Sequence, residues 1–445
     1  MELLDIVVRA RSAITSRGCG AVSIGIRDGS IVCIEDFDAA LDTLSEILVP
    51  DHLTLLPGLV DTHVHLQDPG NTLWENFKSG TRAAARGGIT TLIDMPLDSI
   101  PVTVSLETLA AKHMTAEGSL MVDVGFWAGV TPWNLNQLNQ LDQEGVFGFK
   151  CFLANTGLPE FPSVSVDILK QALTILKEFD ALLLVHAEDE EQLNKVPSVS
   201  GHNYSEYLSV RPASIESRAV SNVLENVELT GGRAHIVHIS TSEAAALIQS
   251  AKESGLKITS ETCPHYLILK DSEVDDGATL YKICPPIRDE KNRNALWEYL
   301  ENGTIDMVVS DHSPTSIDEK AVVEGDFQAA FGGVASLQIS FPLAWTQAKK
   351  QSVSLEQLTR WMSQAPAALA RLDSKGSLEV GKDADFFLFD PEATFEVKAS
   401  NLEHQQKFSL YEGRTLSGVV EATWLRGVKV DYQSPRGQIL KKSKK

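Results

Sequence analysis

One pattern constrains the fold of this chain more than any other. Short apolar runs alternate with segments of helical spacing between residue 59 and residue 372. The apolar runs are GLVDTHVHL, ITTLIDMP, VDVGFWAG, VFGFKCFL, ALLLVHAE, AHIVHIST, LKITSETC and IDMVVSDHS. The helix-like segments between them include residues 74–86, 166–179, 215–230, 242–254 and 291–302. About eight strand–helix units in succession predict an α/β fold of the (β/α)₈ TIM-barrel type.

A doubly wound open sheet is the alternative architecture. Such sheets usually carry a Gly-rich phosphate-binding turn after an early strand. The sequence contains neither GxGxxG nor GxxxxGK[ST]. The barrel is therefore the favoured interpretation.

Both ends of the chain contain short segments whose composition is typical of β-strands. Residues 5–9, 22–26 and 31–34 are β-rich runs, and the segments DADFFLFD and VVEATWLRGVKVD follow a last predicted helix over 355–372. We expect both termini to build one small β domain. The predicted division is 1–57 for its N-terminal part, 58–375 for the barrel, and 376–445 for its C-terminal part and tail.

Composition excludes several classes of partner. The chain of 445 residues has a formal net charge of -21 and an isoelectric point near 4.9, so it should repel nucleic acid and anionic membrane surfaces. Its five cysteines are odd in number and form no CxxC pair, which is typical of free thiols in a reducing compartment. No secretory signal and no membrane-spanning run of about 18 apolar residues occurs. We expect a cytoplasmic protein.

Side chains of the types that bind metal ions fall at the ends of the predicted strands. In a barrel, strand ends of one polarity converge on one mouth, where active sites are built. Imidazole and carboxylate are suitable ligands for Zn²⁺ and similar cations. The sequence therefore predicts a metal centre formed by His63, His65, Lys150, His186, His238 and Asp311.

Each of these residues has a simpler explanation when taken alone. A single histidine is often a packing residue, Lys150 could be solvated, and Asp311 could cap a helix. These separate explanations do not account for all six lying at strand ends. An ammonium beside metal ions is disfavoured, but carbon dioxide added to Lys150 would give a carbamate that bridges two ions. We expect two divalent transition-metal ions, Zn²⁺ first, with Mn, Co or Fe as alternatives.

The remaining polar candidates carry weaker signals. His235 lies three residues before His238 and should face the other side of its strand. His312 should point off the ligand face, whereas His265 in TCPHY is a candidate for contact with substrate or with a ligand. No GxSxG elbow supports a serine hydrolase, and Cys284 is best explained as a packing residue.

The motifs resemble those of the cyclic amidohydrolases, a family that includes dihydroorotases, hydantoinases and allantoinases. The matching segments span nearly the whole chain: PGLVDTHVHLQDPG, ARGGITTLIDMP, GFKCFL, LLLVHAE, AHIVHIST, ETCPHYL, CPPIRD, VSDHSP and GKDADFFLFD. The resemblance implies a distorted barrel with a small β-sandwich formed by both termini. It also implies a homo-oligomer, since relatives are often tetramers.

The resemblance assigns a role to each metal-site residue. His63 and His65 would hold the first ion, and a carboxylated Lys150 would bridge to the second. His186 and His238 would hold the second ion. Asp311 would bind the first ion and act as the catalytic base.

Differences between this chain and other members of the family narrow the range of small molecules that it would accept as substrate. Gln67 and Leu97 stand where dihydroorotases have the Arg and Asn that hold a carboxylate, and Asn155 stands where hydantoinases have Tyr. Cys284 stands where relatives usually have Ser or Asn. The segments MPLDSIP, KCFLANTG and SLYEGRTLSG favour opening of the hydantoin ring of allantoin to allantoate, a step of purine catabolism. A hydantoinase and an inactive scaffold are the alternatives. Expected substrate contacts are Gln67, Leu97, Asn155, His265 and Cys284.

Overall fold

The computed structural model describes residues 3–197, 199–322 and 324–442. Its strands are β1 (Leu4–Thr15), β2 (Gly18–Arg27), β3 (Ser30–Asp36), β4 (Thr43–Leu48), β5 (Thr54–Pro57), β6 (Leu59–Val64), β7 (Ile89–Asp94), β8 (Asp123–Phe126), β9 (Ala128–Gly129), β10 (Phe149–Phe152), β11 (Leu182–His186), β12 (Arg233–Ile236), β13 (Ile258–Thr262), β14 (Met307–Val308), β15 (Phe386–Glu396), β16 (Thr415–Leu425) and β17 (Val428–Lys429).

Helices cover most of the connections between the strands. They are α1 (Phe77–Arg86), α2 (Leu106–Ala116), α3 (Leu138–Gln143), α4 (Val166–Lys177), α5 (Glu190–Leu193), α6 (Tyr204–Ser209), α7 (Ala213–Thr230), α8 (Ser242–Glu253), α9 (Pro264–Ile268), α10 (Glu290–Glu301), α11 (Ser340–Lys350), α12 (Leu355–Thr359) and α13 (Ala365–Leu369). In these described parts of the chain, no helix has both the length and the apolar character needed to cross a membrane.

Parallel strands form the predicted barrel. Strands β6, β7 and β8 make one sheet, and β9 to β14 make a second one in the order of the sequence. A hydrogen bond from Phe147 N–H to the carbonyl of Phe126 (3.0 Å) joins the two sheets on one side. On the other side, His65 N–H donates to the carbonyl of His312 (2.8 Å), beside a bridge between Val64 and His312. The ring is closed but irregular, which confirms the predicted distorted barrel.

Helix ends follow the local chemistry of the chain. The side chains of Asn76, Ser165, Thr241 and Asp289 each accept a backbone N–H in the first turn of the helix that follows. Residues 74–86 were predicted as one helix, but α1 begins at Phe77 because Asn76 is its cap.

The helix predicted over 355–372 is interrupted. A π-helical turn at Arg360–Gln364 separates α12 from α13, and the N–H of Ala365 donates to the carbonyl of Arg360. Proline at position 366 has no N–H to donate to Met362, so the regular helical ladder is broken there.

The two termini share one sheet with the order β17-β16-β15-β5-β1-β2-β3, and β4 pairs with β1. Strands β5 and β15 lie antiparallel, with Leu55 opposite Leu388. A separate apolar core fills this domain and includes Val8, Ile24, Phe386 and Trp424. The expectation that both ends build one β domain is thus met, whereas the exact boundaries at 57 and 375 stay a prediction.

A buried charge cluster joins this domain to the barrel. The ammonium of Lys375 lies 2.6 Å from Asp123 Oδ2 on β8, 2.7 Å from Asp385 Oδ2 and 2.9 Å from Asp383 Oδ2. Burial by itself would lower the pKa of Lys375, but the three carboxylates raise that pKa above its ordinary value. The lysine therefore neutralises acidic groups that would otherwise repel one another at the domain junction.

Replacing Lys375 by Met should destabilise the protein, because three neighbouring carboxylates lose their common partner. The free energy of unfolding should fall by about 3–5 kcal/mol, the usual cost of breaking a buried pair by removing one partner. Urea denaturation followed by circular dichroism measures this change. Lys195→Met is the control, since Lys195 pairs with Glu191 at the surface and its loss should leave the curve unchanged. Equal curves for both variants would contradict the interpretation.

Candidate metal centre

The structure brings the six predicted metal-site residues to one cavity. Four of them, His65, His186, His238 and Asp311, end or follow a barrel strand as predicted, whereas His63 and Lys150 lie within β6 and β10. The cavity has a volume of about 380 Å³. Its wall includes all six side chains: His63, His65, Lys150, His186, His238 and Asp311.

Five of the six side chains form two adjoining groups. In the first group, Asp311 Oδ1 lies 3.2 Å from His63 Nε2 and 3.9 Å from His65 Nε2. In the second, His186 Nδ1 lies 2.9 Å from His238 Nε2. The ring centres of His63 and His238 are 5.5 Å apart, so the two groups face each other. His63, His238 and Asp311 offer ligand atoms that all lie within 4.8 Å of one another, which suits a metal ion.

Burial favours the neutral form of three histidines, His63, His186 and His238. Burial lowers the pKa of His63 and of His186, and it lowers the pKa of His238 well below the ordinary value. A neutral imidazole keeps a lone pair on one ring nitrogen. A metal ion requires this form, so the burial that disfavours the imidazolium favours coordination.

Lys150 is the least satisfied member of the site. Its side chain is fully buried, and its nitrogen has no hydrogen-bond partner among residues 3–197, 199–322 and 324–442. Burial lowers the pKa of Lys150 to about 8, although Glu261 and Asp311 act in the opposite direction. An unpaired buried amine costs free energy unless another group satisfies it.

Backbone strain aims several of these side chains. His238 and Asp311 have φ angles of 39° and 48°, and the nearby Gln67 and Asp98 have 59° and 66°. Residues other than glycine rarely adopt this left-handed region, which costs about 1–3 kcal/mol for each residue. His238 and Asp311 adopt it just beyond the barrel strands β12 and β14.

Carboxylates lie beside the outer nitrogens of three histidines; Glu261 and Glu188 are hydrogen-bonded to theirs, whereas His65 Nδ1 has no hydrogen-bond partner in the described structure. The paired atoms are His63 Nδ1 with Glu261 Oε1 at 2.5 Å, His65 Nδ1 with Asp98 Oδ2 at 2.8 Å, and His186 Nε2 with Glu188 Oε2 at 2.9 Å. Such outer partners orient a histidine and leave its other nitrogen for a metal. The sequence analysis did not identify these three carboxylates as part of the site. Each of them lies in a segment that was named for another reason: SETC, MPLD and HAE.

Two other histidines lie outside the ligand set. His235 Nε2 lies 3.0 Å from Glu261 Oε2, so it supports the acid that holds His63. Burial would raise the pKa of Glu261, but the rings of His63 and His235 keep that pKa below its usual range. His312 points away from the ligands, with its Nε2 3.2 Å from Glu75 Oε2.

Three of the five expected substrate contacts line the cavity, namely Leu97, Asn155 and Cys284. Gln67 and His265 are not part of the described wall. The amide of Gln67 is buried and donates to the carbonyl of Pro314. His265 is buried too, with Cys263 and Asp311 as its neighbours.

Known proteins provide an independent comparison. The Amidohydrolase family matches residues 54–430, and the chain belongs to this family. An allantoinase from Streptomyces avermitilis is 43% identical over 444 residues, which cover 99% of both chains. An allantoinase from Arabidopsis thaliana is 43% identical over 94% of this chain and 87% of that relative. The resemblance seen in the sequence motifs is thereby confirmed.

Solved structures agree with the fold. The L-hydantoinase (dihydropyrimidinase) from Arthrobacter aurescens superposes with a TM-score of 0.89 at 29% identity, covering 99% of this chain and 98% of that one. A D-hydantoinase superposes with a TM-score of 0.88 at 26% identity, covering 99% of both chains. These neighbours support the barrel with its appended β domain.

Replacing His63 by Ala should reduce the metal retained by the purified protein by at least one ion per chain. The reason is that His63 contributes to the group formed with His238 and Asp311. Elemental analysis after gel filtration measures the content. His52→Ala is the control, because His52 is exposed and remote from the cavity wall. Equal metal in His63→Ala and in the parent protein would contradict the site.

Proposed function

We propose that this protein hydrolyses the hydantoin ring of allantoin to allantoate with two divalent metal ions and a carboxylated Lys150. One observation carries the proposal: four histidines, a buried unpaired lysine and an aspartate line one cavity. Full-length similarity to allantoinases supports the choice of substrate. A homo-oligomeric state, namely a tetramer, and a cytoplasmic location belong to the same proposal.

The ligands divide naturally between two ions. His63, His65 and Asp311 would hold the first, and His186 and His238 would hold the second. Zn²⁺ suits this donor set, while Mn, Co and Fe are the alternatives to compare.

Lys150 would join the two groups. Its amine is buried, has a lowered pKa of about 8, and finds no partner within the described chain. A neutral amine adds carbon dioxide and releases a proton, which gives a carbamate anion with two oxygens. This change replaces an uncompensated buried amine by a bridging ligand.

The chain's own residues would carry the proton transfers. When bound, the two ions supply an activated water and polarise the ring carbonyl. Asp311, which lies next to His63, would accept the proton of that water and deliver it to the leaving ring nitrogen. The outer carboxylates would keep the histidines oriented while this happens.

The cavity wall favours a neutral substrate. Apart from Lys150, two cationic side chains of the described residues line it, and both are engaged: Arg211 donates to both oxygens of Glu188, and Lys282 donates to the carbonyl of Phe327. Leu97 adds an apolar surface. The carboxylate of dihydroorotate would therefore lose its water without gaining an uncommitted cation. Asn155 offers an amide that could meet the ureido group of allantoin.

A hydantoinase is the second candidate. The solved L-hydantoinase and D-hydantoinase cover nearly the whole chain at 29% and 26% identity. The identity to allantoinases is higher, at 43%. An inactive scaffold is the third possibility, and it requires neither bound metal nor turnover.

Allantoin should be the preferred substrate when allantoin, hydantoin, dihydrouracil and dihydroorotate are compared. We expect kcat/KM for allantoin to exceed that for dihydroorotate by at least about a thousandfold, because a charge left unpaired in a site costs several kcal/mol. All four should be measured with one metal-loaded sample. Comparable values, or a preference for hydantoin, would assign the chain to another branch of the family.

Lys150→Ala should lose metal and turnover together, because the bridging anion disappears. Lys150→Arg should be equally inactive, since a guanidinium does not form a carbamate. Short carboxylates added to Lys150→Ala should restore part of both properties. Lys257→Ala, at an exposed lysine, is the matched control. Normal metal content and turnover in Lys150→Ala would remove this lysine from the site.

A further inference from the structure

We infer that Glu188 and Arg211 form a positioning pair that fixes the tautomer of His186, so that Nδ1 carries the lone pair offered to the second metal ion. The inference rests on the proposed two-ion centre. Neither residue was identified from the sequence. Both line the cavity beside His186.

The pair is a buried ion pair with defined geometry. Arg211 Nη1 lies 2.7 Å from Glu188 Oε1 and 2.8 Å from Oε2. The side chain of Glu188 is 3% exposed and that of Arg211 is 23% exposed. Glu188 Oε2 also lies 2.9 Å from His186 Nε2. The carboxylate thus links the guanidinium to the imidazole.

Hydrogen-bond chemistry then decides the tautomer. A carboxylate paired with arginine has only acceptor sites to offer, so His186 Nε2 must be the donor in this contact. In a neutral imidazole, the other nitrogen is then the acceptor. That nitrogen is Nδ1, which faces His238 Nε2 at 2.9 Å.

The plane of the ring is held as well. The ring of Phe152 stacks on that of His186 with centres 4.5 Å apart and an angle of 17° between the planes. Stacking on Phe152 fixes the plane of the imidazole, and the hydrogen bond to Glu188 fixes which ring nitrogen lies on which side. Together they leave one orientation in which Nδ1 points at the second group of ligands.

The effect should be selective for the second ion. In the first group, His63 has its own hydrogen-bonded carboxylate, Glu261, and Asp98 Oδ2 lies 2.8 Å from His65 Nδ1. His238 differs, because its Nδ1 has neither a hydrogen bond nor an ion pair with a carboxylate in the described structure. At the second position, Glu188 is therefore the carboxylate that prepares a lone pair before metal binds.

The test uses full-length protein, stripped of metal and titrated with Zn²⁺. Glu188→Gln keeps the shape but lets either ring nitrogen carry the proton, since an amide both donates and accepts. We expect the affinity for one of the two ions to fall about 10- to 100-fold, the usual effect of losing an outer partner, with the other ion unchanged. Arg211→Lys should show a smaller loss at the same ion, because one donor to Glu188 is retained.

Glu216→Gln is the matched control. Glu216 is also a fully buried glutamate, but it accepts hydrogen bonds from Ser240 rather than from an imidazole. Both ions should bind to this variant as they do to the parent. Equal weakening of both ions in Glu188→Gln, or no weakening in Glu188→Gln and Arg211→Lys, would overturn the inference. If Glu188→Gln does not fold, Arg211→Lys decides the matter by the same measurement.

The substrate proposal can be refuted independently of the positioning pair. A parent protein that binds two ions but does not hydrolyse allantoin would refute the proposed substrate, and the selective loss in Glu188→Gln would still support the positioning pair. A parent protein that binds no metal would refute both proposals.

Discussion

The burial of ionisable groups at the mouth of the barrel is the constraint on which the site depends. Four imidazoles, an amine and a carboxylate leave water there, and each needs a partner to offset the lost hydration. Glu261 and Glu188 satisfy the outer edges of two imidazoles. The amine of Lys150 has no such partner in the described chain. The inward-facing atoms are the ones left for metal and carbamate chemistry.

The carboxylates that contact the histidines also link the site to the surrounding fold. Glu261 on β13 connects His63 to His235, and His235 in turn contacts Thr259 with its Nδ1 at 2.8 Å. Glu188 connects His186 to Arg211, which stands between α6 and α7. The orientation of these two histidines thus depends on residues from a neighbouring strand or loop. A change in these supports should alter metal binding without touching a ligand.

Some features of the fold could be predicted from the sequence because they depend on local or periodic patterns. The strand–helix alternation predicted the barrel, and the strands at both ends predicted a shared β domain. The interrupted helix over 355–372 was not predicted, although Pro366 was visible in the sequence. Helical spacing identifies a helical region, but it does not show where one hydrogen bond is missing.

The sequence by itself placed the metal-site side chains within or just after barrel strands, and it thereby singled out His63, Lys150 and Asp311 as parts of one site. This works because parallel strands in a barrel bring their ends to one mouth. Only the tertiary structure decided the partners of these residues. Glu188 and Arg211 lie 23 positions apart and meet because the connection between α6 and α7 brings Arg211 to the cavity wall. Hydrogen bonds between such distant side chains leave no periodic trace in a sequence.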